Sequence, residues 1–204
     1  MINKVNLREL VLGILLEINK EGQHSHLVIR STLEKYQYLE KQERAFITRV
    51  CEGTLEYKLR LDYILDQYSS VPVEKMKPVI REILRSSVYQ LLYMDNVPDS
   101  AVCDEAVKLA RKKGFYNLTG FVNGVLRKVA RDYSSIHFPE KNQPIEYLSV
   151  LYSMPKWLVE KFLAEYGFEK NRKDAGSVFK GKNLIHHSYS SAILVDKEAC
   201  FRKV

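Results

Sequence analysis

Apolar residues at Leu7, Leu10, Val11, Ile14, Leu15 and Ile18 recur at helical spacing, so they share one stripe of an amphipathic helix. Glu21-Gly22 ends that element, and a second helical pattern runs from about Ser25 to Tyr36 through Leu27, Val28 and Leu33. A long helical stretch then opens at Leu39 and reaches about Tyr68, with Phe46, Ile47, Val50, Leu61, Ile64 and Leu65 facing inward. Gly53 falls inside it and is expected to bend it, because glycine weakens a helix interior by about 1 kcal/mol relative to alanine.

Pro78 suits the first turn of the next helix, where its missing N–H is no loss. The inward set over Lys77 to Met94 is Ile80, Ile83, Leu84, Ser87, Val88, Leu91 and Leu92. So broad a stripe predicts a central, buried helix. Tyr89 and Tyr93 flank it and are expected to lie half-buried, hydroxyls toward water or a partner. Pro98-Asp99-Ser100 starts another helix that runs to Lys113, and Gly114 fits the left-handed position that would stop it. Leu118, Phe121, Val122, Val125, Leu126 and Val129 form a further stripe. Asn123 and Gly124 sit inside it despite poor helix propensity; the expectation is that the glycine admits a neighbouring helix while the asparagine amide satisfies a buried backbone group.

Ser134 to Pro139 and Gln143-Pro144 read as linker, and a short helical unit follows in which Ser153 is expected to cap the turn before Pro155. From Glu169 onward the periodicity stops, and a loose tail with at most one short strand at Ile193-Leu-Val195 is expected. The fold class is therefore all-α, a compact bundle of about seven helices followed by a short helical bridge and a poorly ordered tail. In residue numbers, the divisions fall at 1–132, 133–147, 148–168 and 169–204.

Composition adds a direction. The chain has 204 residues, 46% of them hydrophobic, enough for a core without disulfides, and a formal charge of +7. Such a charge favours an anionic partner, and nucleic acid stands ahead of a membrane because no apolar run approaches a spanning length. Cys51, Cys103 and Cys200 are odd in number and far apart, so they read as reduced thiols of a cytoplasmic protein rather than as disulfides or metal ligands. The N-terminal segment lacks the apolar core of a secretory signal. Gly176-Ser-Val-Phe-Lys-Gly-Lys-Asn183 nearly matches a phosphate-binding loop, but asparagine stands where a metal-holding hydroxyl is needed, and no strand precedes it. His24 with His26, and His186 with His187, lack the spacing and carboxylate company of a zinc site.

Five stretches together carry a resemblance: Asn6-Leu-Arg8; Arg60-Leu-Asp-Tyr63; Tyr89-Gln-Leu-Leu-Tyr93; Val97-Pro98 leading to Asp104-Glu-Ala-Val107; and Phe121-Val-Asn-Gly-Val-Leu-Arg127. Over about residues 6–131 the chain resembles the NusB-like RNA-binding domain, in the version that opens the RsmB (Sun, Fmu) ribosomal RNA cytosine-C5 methyltransferases. Tyr152-Ser-Met-Pro-Lys-Trp-Leu-Val159 resembles the bridge that follows this domain in those enzymes and is missing from free-standing NusB. The resemblance implies an RNA-facing basic edge, with small-subunit ribosomal RNA as partner. It also implies that full-length relatives use S-adenosylmethionine and a cysteine nucleophile in a further domain. Neither the cofactor's glycine-rich turn nor a Pro-Cys or Thr-Cys pair is present, so no catalytic residue, cofactor or metal is expected in this chain. The sequence departs from the resembled pattern after about Phe168, which reads as a truncated or frame-disrupted relative, or one whose methyltransferase domain is encoded separately. The alternative is a NusB-type antitermination factor that binds RNA together with a ribosomal protein.

The candidate RNA-binding residues follow from charge and resemblance together. Lys4 and Arg8 lie one turn apart on the first helix, opposite its apolar stripe, and are expected to face solvent together. Arg111, Lys112 and Lys113 form a second group, and Arg127, Lys128 and Arg131 a third. Phosphate neutralisation would supply most of the affinity, and unpaired bases would stack on exposed tyrosines, for which Tyr57 and Tyr116 are candidates outside the site set.

Overall fold

Five helices pack around a sixth whose middle turns are buried on every side. The computed structural model describes residues 5–21 and 24–166, so Lys4, Cys200, the near-match to a phosphate loop, and the expected tail and its strand lie outside the described residues. The helices are α1 (Leu7–Glu21), α2 (Ser25–Lys35), α3 (Lys41–Glu56), α4 (Lys58–Tyr68), α5 (Pro78–Tyr93), α6 (Asp99–Lys112) and α7 (Thr119–Asp132). Two more follow, α8 (Pro144–Tyr152) and α9 (Lys156–Tyr166), and no strand occurs among the described residues. The chain divides into two compact units, one ending at Tyr133 and the other beginning at Ser134.

In the first unit α5 packs against α1, α3, α4, α6 and α7. Every residue from Glu82 to Gln90 is buried as a result. The surrounding helices offer the stripes read from their periodicity: Val11, Ile14 and Leu15 from α1, Leu61, Ile64 and Leu65 from α4, and Val122, Leu126 and Val129 from α7, all close to fully buried, and Leu12, outside the expected stripe, is buried with them. Several polar groups caught in α5 find partners on it or on α4. The Ser86 hydroxyl donates to the Glu82 carbonyl at 2.8 Å, and the Gln90 amide donates to the Ser86 carbonyl at 2.9 Å. The Arg85 guanidinium donates twice to Asp62 and once to Glu82, each at 2.6 Å. Burial alone would lower the Arg85 pKa, but the hydrogen bonds and charges of these two carboxylates outweigh it and hold the pKa above its ordinary value.

Two glycines behave otherwise than their sequence context implies. The expected single helix from Leu39 to Tyr68 is two helices, and the break falls at Tyr57 rather than Gly53. Gly53 is instead a close-approach site, since a Cβ there would lie 2.0 Å from Cζ of Tyr89 and 2.3 Å from its hydroxyl oxygen. Tyr89 is correspondingly buried, with the hydroxyl end of its ring laid on α3 rather than directed to water. Gly124 has nothing within 4 Å of its would-be Cβ, so it admits no neighbouring helix. Asn123 does not serve a buried backbone group either, because its side-chain oxygen accepts from Nε of Arg127 at 2.9 Å. Gly114 does sit in the left-handed region, φ 86°, as expected. Its N–H donates to Arg111 and that of Phe115 to Ala110, each at 3.0 Å, which completes a Schellman stop for α6.

In the second unit α8 begins at Pro144, inside the stretch that reads as linker. Ser153 ends α8, rather than capping the helix after it, and does so in the left-handed region at φ 52°. Its cap is held by the Met154 N–H donating to the Ser149 carbonyl at 2.9 Å and by the Ser149 hydroxyl donating to the Met154 carbonyl at 2.6 Å. An ion pair between Lys156 and Glu146 ties α9 to α8.

Candidate nucleic-acid interface

Helices α6 and α7 form a hairpin across the short Gly114–Leu118 connection, so their basic ends fall at opposite ends of it. Arg131 stands a dozen residues along α7 from Thr119, which at helical rise is about 18 Å from the turn that carries Arg111, Lys112 and Lys113. The two groups are therefore separate patches.

The patch at the turn is built jointly by α6 and α1. Asn6 caps α1, its side-chain oxygen accepting from the Glu9 N–H at 3.1 Å. That fixes Glu9 where its two carboxylate oxygens meet Lys112 Nζ at 2.6 Å and Lys113 Nζ at 2.8 Å. Hydrogen bonds from Lys112 and then Lys113 hold the Glu9 carboxyl below its ordinary pKa against a small opposing effect of burial. Lys108 pairs with Glu105 at 2.8 Å. Arg111 is exposed and makes no ion pair among the described residues. Tyr116, just past Gly114, is 65% exposed and puts an aromatic ring beside this group in sequence.

Arg8 belongs to the interior margin, not to the solvent face expected for it. It is half-buried, its Nε donates to the Gln90 side-chain oxygen at 2.9 Å, and its Cζ lies 5.3 Å from the centroid of the Phe46 ring. Burial lowers its pKa from the ordinary value, and the charge of Glu105 opposes that. The helix turns Arg8 inward because α1 is covered on two sides, by α3 and by α5, which a single apolar stripe does not express.

The patch at the far end of α7 is looser. Arg127 reaches Asp104 only at 3.9 Å, Arg131 pairs with its neighbour Asp132 at 2.8 Å, and Lys128 is exposed without an ion pair among the described residues. Exposed pairs of this kind are worth about 0–1 kcal/mol and are screened by salt, so they exchange readily for phosphate.

A further group gathers around Tyr57, one of the two tyrosines singled out from the sequence, and its gathering in space has no sign there. Phe46, Arg49, Gly53 and Tyr57 share one face of α3 by spacing, and α5 sets Tyr89 and Tyr93 against that face. The Tyr57 and Tyr93 rings stack at 4.5 Å between centroids and 25° between planes, and Tyr89 stacks on Tyr93 at 5.1 Å and 23°. Arg49 Nη2 donates to the Tyr93 carbonyl at 2.9 Å, and Arg60 Cζ lies 5.9 Å from the Tyr93 centroid. The spacing of the α3 residues was visible in the sequence, but the partner residues on α5 are more than thirty positions away.

For chemistry the described residues offer little. Cys51 and Cys103 are buried, and burial pushes both thiols up, away from the reactive thiolate. No group of three or more His, Cys, Asp or Glu among the described residues is arranged to hold a metal. No described helix is long and apolar enough to cross a membrane.

Comparison with known proteins places this arrangement. A family model described as "NusB family" matches residues 5–131. The chain is 34% identical over 170 residues to the probable ribosomal RNA small subunit methyltransferase B of Bacillus subtilis, covering 83% of this chain and 37% of that protein. It is 30% identical over 135 residues to the transcription antitermination protein NusB of Thermodesulfovibrio yellowstonii, covering 61% of this chain and 89% of that protein. Among solved structures, the crystal structure of the antitermination factors NusB and NusE in complex with dsRNA matches with a TM-score of 0.57 at 19% identity, over 62% of this chain and 95% of that one, a likeness of fold. The chain thus spans little more than a third of the methyltransferase and most of the antitermination protein.

Proposed function

This chain belongs to the NusB family, and we propose that it is the RNA-binding portion of an RsmB-type small-subunit ribosomal RNA methyltransferase, engaging ribosomal RNA through the two basic patches of the α6–α7 hairpin. The observation that carries the methyltransferase side of this reading is the extent of the match. Likeness to the B. subtilis enzyme covers 83% of the chain, whereas likeness to the NusB protein covers 61% and the family match ends at residue 131. The additional length takes in α8 and α9, helices that a free-standing NusB domain has no need of.

The RNA side rests on exposed cations at fixed positions. Among the described residues Arg111 and Lys128 are exposed without ion pairs, while Lys112, Lys113, Arg127 and Arg131 pair with carboxylates within reach of solvent, Arg127 also donating to Asn123. Each can pass to a phosphate. Lys4, next to the α1 start, belongs to the proposed set by sequence alone. Arg8 enters it as an anchor of α1 rather than as a free cation.

Methyl transfer is assigned to a part of the full enzyme other than the described residues. An S-adenosylmethionine site of the doubly wound kind needs a glycine-rich turn between a strand and a helix, and covalent attack on a pyrimidine needs an accessible thiolate. The described residues form helices only and bury their two cysteines, so they do not fit the cofactor.

Titration of a labelled small-subunit ribosomal RNA fragment at two salt concentrations tests the reading. The expected result is an affinity that falls steeply with salt, with a log–log slope near −0.7 for each phosphate neutralised on a single strand. The charge reversals Arg111→Glu and Lys128→Glu should each weaken binding and flatten the slope. Binding that is absent, or indifferent to salt and to both reversals, rejects it. The antitermination reading is favoured by the 89% coverage of the T. yellowstonii NusB. It gains ground if RNA affinity rises sharply when a cognate NusE is added.

A further inference from the structure

Among the described residues, aromatic side chains are almost absent from the buried core. Its buried apolar residues are Val, Leu, Ile, Met, Ala and Cys, with Tyr89 as the one buried aromatic among those described. Yet three tyrosines are gathered in one place, with planes within 28° of parallel and every centroid pair within 6.3 Å. Helix α3 gives up a side chain at Gly53 to seat the innermost ring. Filling space would not require this, since aliphatic residues fill it everywhere else in the bundle.

The other two rings, Tyr57 and Tyr93, are only half-buried. Guanidinium groups stand beside them. Arg49 is exposed and pinned through the Tyr93 carbonyl, Arg60 lies against the Tyr93 ring, and farther along Arg8 lies over Phe46. Cations and π-faces thus alternate across α1, α3, α4 and α5. The local charge is close to balanced, because Glu52 and Glu56 lie on the same helix as Arg49; burial and the nearby charge of Glu56 raise the Glu52 pKa. A balanced site is poorly suited to the dense phosphates of a duplex. It suits a neutral, planar group that stacks.

We propose that the Tyr57–Tyr93 pair, flanked by Arg49 and Arg60, is a stacking site for an unpaired base of single-stranded RNA. The proposal rests on the RNA-binding reading above and adds to it a second contact, distinct from the basic patches in position and in physics. Stacking on aromatic and guanidinium planes tolerates any base and depends little on counterion release. A protein ligand is less well matched, because Leu59 is the only exposed large aliphatic residue on α3, α4 or α5 among those described, and hot spots on proteins are built around buried apolar anchors.

The test uses the full chain and single-stranded RNA carrying 2-aminopurine, whose fluorescence is quenched on stacking, at two salt concentrations. Wild type should bind and quench. Tyr57→Leu should lose the quench and about tenfold in affinity with the salt slope unchanged, and Tyr57→Phe, which keeps the ring, should retain both. Arg49→Gln, at an exposed position, gives a second reading if Tyr57→Leu does not fold; it should weaken the quench. Wild type that binds RNA salt-dependently without quenching, or whose quench survives both Tyr57→Leu and Arg49→Gln, overturns the stacking site and leaves the RNA-binding reading standing. Wild type that binds no RNA at either salt overturns both.

Discussion

Gly53 and Gly124 are both glycines inside helices, and their surroundings predict opposite responses to alanine. At Gly53 the new Cβ would meet Cζ of Tyr89 at 2.0 Å, with the rest of the phenol held by stacking on Tyr93. Overpacking of this kind destabilises by about 1–3 kcal/mol, and Gly53→Ala should lower the urea midpoint accordingly. At Gly124 the Cβ would meet nothing. There the gain in helix propensity dominates, so Gly124→Ala should stabilise by about 0.5–1 kcal/mol in the same measurement. Glu9 makes a different kind of prediction. Its carboxylate occupies the place between Lys112 and Lys113 that a phosphate would take. Glu9→Gln should therefore tighten RNA binding several-fold at low salt and steepen its salt slope. The same pairing has a pH sign. The folded pKa of Glu9 is depressed below 4.5, so the folded state binds its proton less readily than the unfolded chain does. Whatever stability the pair contributes, about 1 kcal/mol at most for an exposed pair, is present above pH 4.5 and lost as the pH falls through the folded pKa. The stability difference between wild type and Glu9→Gln should vanish on acidification; a difference that persists at acid pH would assign it to packing instead.

Between elements, the junction of α4 and α5 is the most polar contact of the core. Arg85 is almost fully buried, and its guanidinium is shared between Asp62 on α4 and Glu82 on its own helix. Replacing Asp62 leaves Glu82 as the remaining carboxylate partner and weakens two charge-assisted bonds of a buried guanidinium, so Asp62→Asn should destabilise by about 1–3 kcal/mol, seen as a lower urea midpoint with little change in helical content before the transition. How far such features were legible in the sequence varies with their range. The stripes of α1, α5 and α7 follow from local periodicity, and Gly114 stops α6 in the conformation its position implied, whereas in α2 Leu27 of the expected pattern is exposed and Ile29 is buried in its place. The break between α3 and α4 was hidden because the apolar pattern runs on through it. It falls at Tyr57, whose ring stacks on Tyr93, a tertiary contact with no local trace. Pro144 was read as punctuation when it is the first residue of α8, the same first-turn role correctly assigned to Pro78. The basic residues of the candidate interface were all legible as charges. So were the groups at Arg111–Lys113 and Arg127–Arg131, but the link of the first to α1 was not, because Glu9 and Lys112 are 103 positions apart, nor was the inward turn of Arg8, which two helices impose at once.

The core built around α5 and the candidate RNA contacts all lie on one side of a single chain position. The helices that close around α5 end with α7 at Asp132, and the division between compact units falls between Tyr133 and Ser134. The cations named for RNA, and the Tyr57–Tyr93 pair, all lie at or before Arg131. Likeness to the T. yellowstonii NusB covers 89% of that protein over 135 residues, so a chain of this length is known to exist as a protein in its own right. A fragment of residues 1–133 should therefore fold alone, with a single cooperative transition by far-UV circular dichroism. Losing contacts worth 1 kcal/mol shifts the midpoint of a domain this size by about 2–8 °C, and a melting temperature within that range of the full chain's main transition is expected. Its RNA affinity and salt slope should match those of the full chain within about threefold, because counterion release depends on the cations retained. If the fragment is unfolded, α8 and α9 are part of the core and the division at Tyr133 is wrong. If it folds but loses RNA binding by tenfold or more, the second unit carries contacts of its own, and the RNA surface extends beyond the α6–α7 hairpin into residues past the end of the family match at 131.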